Sequence, residues 1–283
     1  MYRKIMGFLE AWKESKHRKP LILQGARQVG KTYSILEFGR THYENVAYFN
    51  FETNPKLNET FEENISPDYL IPILSHIAGQ TIVKEKTLMV FDEVQLCERA
   101  LTSLKYFCEN APDYHIIVAG SLLGVAVNRT KFSFPVGKVD MKTLYPMDME
   151  EFMMALGEDD LVNQIKKCFQ TDTPLPSALH DAAMQLYRQY LVVGGMPECV
   201  MQFAGTKDYI LVRHTQDTIL ASYLNDMSKY NTLNEIKKTR LAYDNITVQL
   251  SKKNTRFQYK LIKKGGRASE FENAIEWLCL SGI

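Results

Sequence analysis

The chain lacks any cysteine pattern that would hold a metal or a disulfide framework. Its five cysteines (Cys97, Cys108, Cys168, Cys199 and Cys279) are scattered and odd in number, with neither a C-x-x-C pair nor Cys/His ligand spacing. They read as reduced thiols. Long hydrophobic runs are missing as well, for the most apolar segment, Ile116 to Val127, is broken by Gly120-Ser121 and Gly124 and falls short of the ~20 residues a membrane-spanning helix needs. Met1 to Lys19 is charged throughout and has no apolar stretch of the signal-peptide kind. Internal repeats and low-complexity tracts are absent. Together these absences predict a cytoplasmic protein with no membrane contact.

Net charge is nearly absent too, at +1 over 283 residues that are 45% hydrophobic and 24% charged. That composition is globular, and the length suits two or three domains with a core of ordinary size. The balance conceals an asymmetry. Residues 237, 238, 240, 252, 253, 256, 260, 263, 264 and 267 are Lys or Arg against the single acid Asp244, a local net of +9 that leaves −8 for the remainder. The C-terminal part is a basic module on an acidic body.

What is present begins with Gly25-Ala26-Arg27-Gln28-Val29-Gly30-Lys31-Thr32, which fits the G-x-x-x-x-G-K-[ST] phosphate-binding pattern. It follows Pro20-Leu21-Ile22-Leu23, a short apolar run that reads as a buried strand, and a helical pattern from Tyr33 to Gly39 comes after it. Glycines at those places let backbone N–H groups curl round a phosphate while the next helix presents its positive end. The pattern predicts a nucleoside triphosphate ligand, with Lys31 on the β- and γ-phosphates and the Thr32 hydroxyl on Mg²⁺.

Strand signals recur at Val46 to Phe51, Thr87 to Phe91 and Tyr114 to Gly120, and helical spacing at Tyr2 to Trp12, Tyr69 to Ala78 and Leu101 to Cys108. Such alternation from residue 20 to about 145 predicts a parallel α/β layer. Beyond Tyr145-Pro146 only helices are expected, at Met149 to Leu156, Leu161 to Phe169, Ser177 to Val192 and Ile210 to Met227, and again after Leu233. Gly194-Gly195-Met196-Pro197 interrupts them, as a hinge or as a tight turn. Domains are accordingly expected at 1–145, 146–231 and 232–283. The last ends in mid-domain, because Trp277 to Ile283 stops on apolar residues without a polar tail.

A nucleotide site needs an acid at the C-terminal end of a buried strand. Leu88-Met89-Val90-Phe91-Asp92-Glu93 supplies two, about 60 residues after Thr32. Asp92 is the candidate Mg²⁺ holder and Glu93 the group that orients and polarises an attacking water. Ser121, directly after the next strand, is read either as a γ-phosphate sensor or as a cap of the following helix. An additional positive charge is commonly required for hydrolysis, and Arg27, Arg99, Arg129 and Lys138 are candidates for it. In the basic module, Ile246 to Leu250, Tyr259 to Ile262 and Phe271 to Leu280 suggest helix, turn, helix. Its basic face is the footprint of a DNA binder or a surface that docks on protein.

Lys19 to Thr32, Asp92-Glu93-Val94-Gln95, Ala119-Gly120-Ser121, Phe134 to Val139, Tyr145-Pro146-Met147 and Gly194 to Glu198 occur in that order. In this the chain resembles the prokaryotic AAA-type ATPases that carry a C-terminal domain of unknown function, a group related to archaeal ATPases. The resemblance implies an AAA-like P-loop core with a three-layer parallel sheet, Glu93 as catalytic glutamate, a helical segment and a winged-helix-like module. It also implies adenine preference and oligomerisation. Many such proteins have arginine where this chain has Lys138, and many continue into a further, in some cases nuclease-like, domain; neither feature is implied here. The expected activity is Mg-dependent ATP binding and hydrolysis driving a conformational switch coupled to DNA or a protein partner. Its rivals are a nucleotide-gated binding module that does not hydrolyse ATP and a small-molecule kinase, the latter without the clustered arginine lid it needs.

Overall fold

The computed structural model describes residues 1–120, 135, 137–230, 233–253 and 256–282. Five parallel strands form one sheet in the order β2-β3-β4-β1-β5. They are β1 (Leu21–Gln24), β2 (Asn45–Asn50), β3 (Thr87–Asp92), β4 (His115–Ala119) and β5 (Asp140–Thr143). Every residue of β3 and β4 is buried, as expected of inner strands covered on both faces.

Side chains alternate between two cores, because successive residues of a strand point to opposite faces. Leu21, Leu23, Leu88, Val90, Ile117 and Ala119 join Leu9 and Trp12 of α1 (Ile5–Glu14) and Ile35 and Phe38 of α2 (Lys31–His42). Ile22, Met89, Phe91, Ile116 and Val118 join α3 (Lys56–Glu63), α4 (Pro67–Ala78) and α5 (Glu98–Asn110). On that second face Phe51, Phe61 and Phe91 pack with ring centroids 5.6–5.9 Å apart, in tilted and edge-on arrangements that favour aromatic quadrupoles. Helix, sheet and helix make three layers, as expected.

Three elements escaped the sequence reading, among them the helix Pro197–Thr206, which follows directly on the Gly194-Gly195-Met196-Pro197 break. Edge strand β5 buries none of its side chains fully, so it carries no apolar run, and α3 commits only Leu57 and Phe61 to the core. Helices then follow as α6 (Met149–Ala155), α7 (Asp159–Gln170), α8 (Ser177–Val193), α9 (Pro197–Thr206) and α10 (Tyr209–Tyr230). A capping box starts α6, with Asp148 accepting from the Glu151 N–H and Glu151 reaching back to the Asp148 N–H. Gly194-Gly195 is a close backbone approach. A Cβ at Gly195 would lie 2.1 Å from the Met147 oxygen, the Met147 N–H donates to the Gly195 oxygen at 2.6 Å, and the Tyr190 hydroxyl donates to the Met147 oxygen at 2.8 Å.

The chain divides into two compact units, Met1–Thr215 and Gln216–Ile283. Within the second, α11 (Leu233–Asp244), α12 (Ile246–Leu250), α13 (Tyr259–Ile262) and α14 (Ala268–Leu280) supply the expected helix, turn, helix. No strand that would form a wing occurs among its described residues. The close approach at Gly195 sets a prediction: Gly195→Ala costs about 2–3 kcal/mol. Gly7→Ala, exposed in α1 with nothing within 4 Å, gains about 0.5–1 kcal/mol through lower unfolded-state entropy. Thermal unfolding of both variants reads the contrast.

Candidate nucleotide site

The loop between β1 and α2 needs glycine at its ends. Gly25 (φ 149°) lies so near the strand that follows in the sheet that a Cβ would sit 2.2 Å from the Leu144 oxygen, and Gly30 (φ 91°) is left-handed. Gln28 is left-handed as well, at φ 61°. The wrapped loop turns the oxygens of Gly25 and Ala26 inward, and Lys31 Nζ donates to them at 2.9 and 2.8 Å. Burial pushes this ammonium down to about 8, against the pull of the Glu93 and Asp92 carboxylates; the Arg27 charge lowers it further.

Register places the acids beside the loop, because β3 ends at Asp92 on the same sheet edge where β1 ends. Asp92 Oδ2 accepts from the Thr32 hydroxyl at 2.9 Å and from the Tyr48 hydroxyl at 2.7 Å, while Oδ1 accepts from the Glu93 N–H at 3.0 Å. This carboxylate is buried and pairs with no Lys or Arg among the described residues. An anionic oxygen next to a hydroxyl, without a cationic side chain, fits a hard divalent ion such as Mg²⁺. Glu93 follows in the left-handed region at φ 53°, and its carboxylate accepts from Gln95 Nε2. Burial raises Glu93 above the usual carboxylate range and the Asp92 charge adds to that, while the Gln95 hydrogen bond and Lys31 oppose it.

These groups border a cavity of about 550 Å³, a size that suits a nucleotide. Its other side is made by Met1, Arg3, Tyr33, Pro197, Glu198 and Met201. Sequence reasoning missed this wall. Arg3, one cation among several in a charged N-terminal stretch, carries no local signal, yet it is buried and donates to three separate places. Nη1 reaches the Val29 oxygen of the loop (2.9 Å), Nη2 the Tyr145 oxygen (2.7 Å) and Nε the Glu151 carboxylate on α6 (3.2 Å). Pro197 and Glu198 belong to the Gly194–Glu198 segment, one of those that carry the family resemblance, but its place beside the loop was not legible. Pro197 stands against the loop, 3.6 Å from where a Gly30 Cβ would be.

Among the four cation candidates, Arg27 lines the cavity and two others do not. Arg99 Nε donates to the Phe61 oxygen at 2.8 Å beside Glu62. Lys138 pairs with Glu109 at 2.9 Å, just before β5 begins and therefore at the opposite edge of the sheet from Lys31. Ser121 and Arg129 lie outside the described residues.

The phosphate-type loop, its buried lysine and the acid pair at the end of an inner strand agree with what family comparison finds over residues 17–153, which match an AAA domain. Residues 184–283 match a domain of unknown function. The chain is an AAA-type P-loop protein with a C-terminal domain of unknown function. Among solved structures, the AAA-type chain is similar to a Walker-type ATPase of Pyrococcus abyssi, at 14% identity and a TM-score of 0.54, covering 98% of this chain and 89% of that one. It also matches the Orc2 protein of Aeropyrum pernix, at 11% identity and a TM-score of 0.49, covering 99% and 86%. No curated protein matches its sequence. At 14% identity the likeness to the Pyrococcus abyssi structure carries the fold alone.

The Arg3–Glu151 contact yields the prediction for this site. Arg3→Met leaves a buried carboxylate without its cation and costs about 3–5 kcal/mol, and replacing Glu151 by Leu in the same chain recovers part of that loss. Chemical denaturation of the single and double variants measures it; a single variant as stable as the parent contradicts it.

Proposed function

We propose that this AAA-type protein binds Mg-ATP in the Gly25–Thr32 loop and hydrolyses it. The observation that carries the reading is the convergence of Lys31, Thr32, Asp92 and Glu93 on one cavity. In this reading the backbone N–H groups of Gly25, Ala26, Arg27, Gln28, Val29 and Gly30 wrap the phosphates. Lys31 exchanges its two carbonyl partners for β- and γ-phosphate oxygens. Thr32 and Asp92 hold Mg²⁺, which when bound neutralises charge on those oxygens. Glu93 takes the proton of the attacking water as its oxygen bonds to the γ-phosphorus, and the bond to the bridging oxygen breaks to release ADP. A carboxylate raised by burial is a better base for that task. Ser121 keeps its proposed role as γ-phosphate reporter.

Coupling to DNA is the second half of the proposal. Nine of the ten cations between 237 and 267 are exposed, with Lys238 half-buried, and Lys263 pairs with Glu270 at 3.0 Å. Charges presented in this way favour phosphate contacts without sequence readout. A second copy of the chain is the proposed source of any further arginine, since neither Arg99 nor Lys138 lines the cavity. The compartment proposed is the cytoplasm; among the described residues no helix is long and apolar enough to cross a membrane.

Lys31→Ala is expected to abolish ATP binding, measured with a fluorescent analogue. Glu93→Gln keeps that binding and loses Mg-dependent phosphate release by at least 100-fold, on the order of what a general base contributes. Equal turnover in Glu93→Gln and the parent overturns the assignment, and binding without turnover in the parent favours the nucleotide-gated switch. A pH signature follows from Lys31. Bound polyphosphate stabilises the ammonium that burial has pushed down to about 8, so binding takes up about half a proton near pH 8 and almost none from this group at pH 6. Calorimetry in buffers of different ionisation enthalpy, with Lys31→Met as control, reads the difference.

A further inference from the structure

We propose that Gln95 is the positioning residue of this site, its side-chain amide fixing the Glu93 carboxylate for attack by water. The inference rests on Glu93 being the base. Two observations point to it independently. One is the backbone: Glu93 lies in the left-handed region, a conformation that costs a non-glycine residue on the order of 1 kcal/mol and persists where surroundings enforce it. From there the chain enters a single 3₁₀ turn, Val94–Leu96, closed by hydrogen bonds from the Leu96 N–H to the Glu93 oxygen at 3.1 Å and from the Cys97 N–H to the Val94 oxygen at 2.9 Å. This reversal brings the side chain of residue 95 back onto that of residue 93, two positions earlier.

The other is the amide itself. Gln95 Nε2 donates to Glu93 Oε2, and that orientation is required, since the amide oxygen facing a carboxylate would repel it. Gln95 Oε1 is then left buried with no donor among the described residues, an arrangement that costs about 1–3 kcal/mol in a side chain kept for structure alone. A glutamine held this way presents a donor to the carboxylate and keeps an acceptor for a hydrogen that none of the described residues provides. Val94 is fully buried and Leu96 is exposed, so the turn is anchored by the residue between Glu93 and Gln95. Tyr48 and Asn50 do not substitute for the amide: the Tyr48 hydroxyl is spent on Asp92 and Asn50 Nδ2 donates to Tyr48.

The test is a double-mutant cycle on the full chain. Gln95→Met keeps the length of the side chain and removes both amide groups. Expected is a 10- to 100-fold fall in kcat with an unchanged dissociation constant for a non-hydrolysable ATP analogue and an unchanged Tm. Gln95→Met added to Glu93→Gln lowers the residual turnover no further, because Gln95 acts through Glu93. Gln95→Asn restores part of kcat if the shorter amide reaches. Parent-like kcat in Gln95→Met, or equal fold losses in both backgrounds, overturns the inference while leaving Glu93 as the base. Parent-like turnover in Glu93→Gln overturns the underlying reading and this inference with it.

Discussion

A buried ammonium held by two main-chain oxygens is the interaction on which the rest of the site depends. Lys31 starts α2 and folds back into the loop that precedes it, so its charge is removed from water and compensated by dipoles of Gly25 and Ala26. That arrangement requires the left-handed glycine before it, the close approach of Leu144 at Gly25, and two carboxylates within electrostatic reach at the end of β3. A buried charge with partners only partly matched to it is poised to exchange them for a better anion. The sheet order supplies the geometry, since β1 and β3 both end on the edge where α2 begins.

The same loop is fastened from outside. Arg3 ties the Val29 oxygen to the Tyr145 oxygen and to Glu151 of α6, and Pro197 of α9 rests against Gly30. Met147, two residues past Tyr145, is in turn locked to Gly195 and Tyr190. Loop, linker and the helices α6, α8 and α9 are therefore joined by a short chain of hydrogen bonds and contacts within the first unit. A change in the direction of the Val29 carbonyl would be felt at Arg3.

Much of this was legible in the sequence, for reasons that are local. The loop announced itself because its glycines, lysine and threonine must stand at fixed offsets, and β3 because a strand buried on both faces is a continuous apolar run ending in two acids. The inner strands follow from short continuous apolar runs and the amphipathic helices from periodicity. What stayed hidden depends on contacts between distant positions. Edge strand β5 has a half-exposed, polar sequence, Asp140-Met141-Lys142-Thr143, that looks like a loop. Arg3 is one cation among several in a charged N-terminus until the fold brings Val29, Tyr145 and Glu151 around it. Arg99 and Lys138 were plausible by charge and are engaged elsewhere, with Phe61 and Glu109. Gln95 was visible as the last residue of the Asp92-Glu93-Val94-Gln95 segment, but its contact with Glu93 required the left-handed turn.

The most direct test of the account is a crystal structure of the chain with Mg²⁺ and a non-hydrolysable ATP analogue. The account predicts that Lys31 Nζ leaves the oxygens of Gly25 and Ala26 for the β- and γ-phosphates, and that the metal sits between the Thr32 hydroxyl and Asp92. A nucleotide bound with Lys31 still on those two carbonyls, or bound away from the loop altogether, would contradict it.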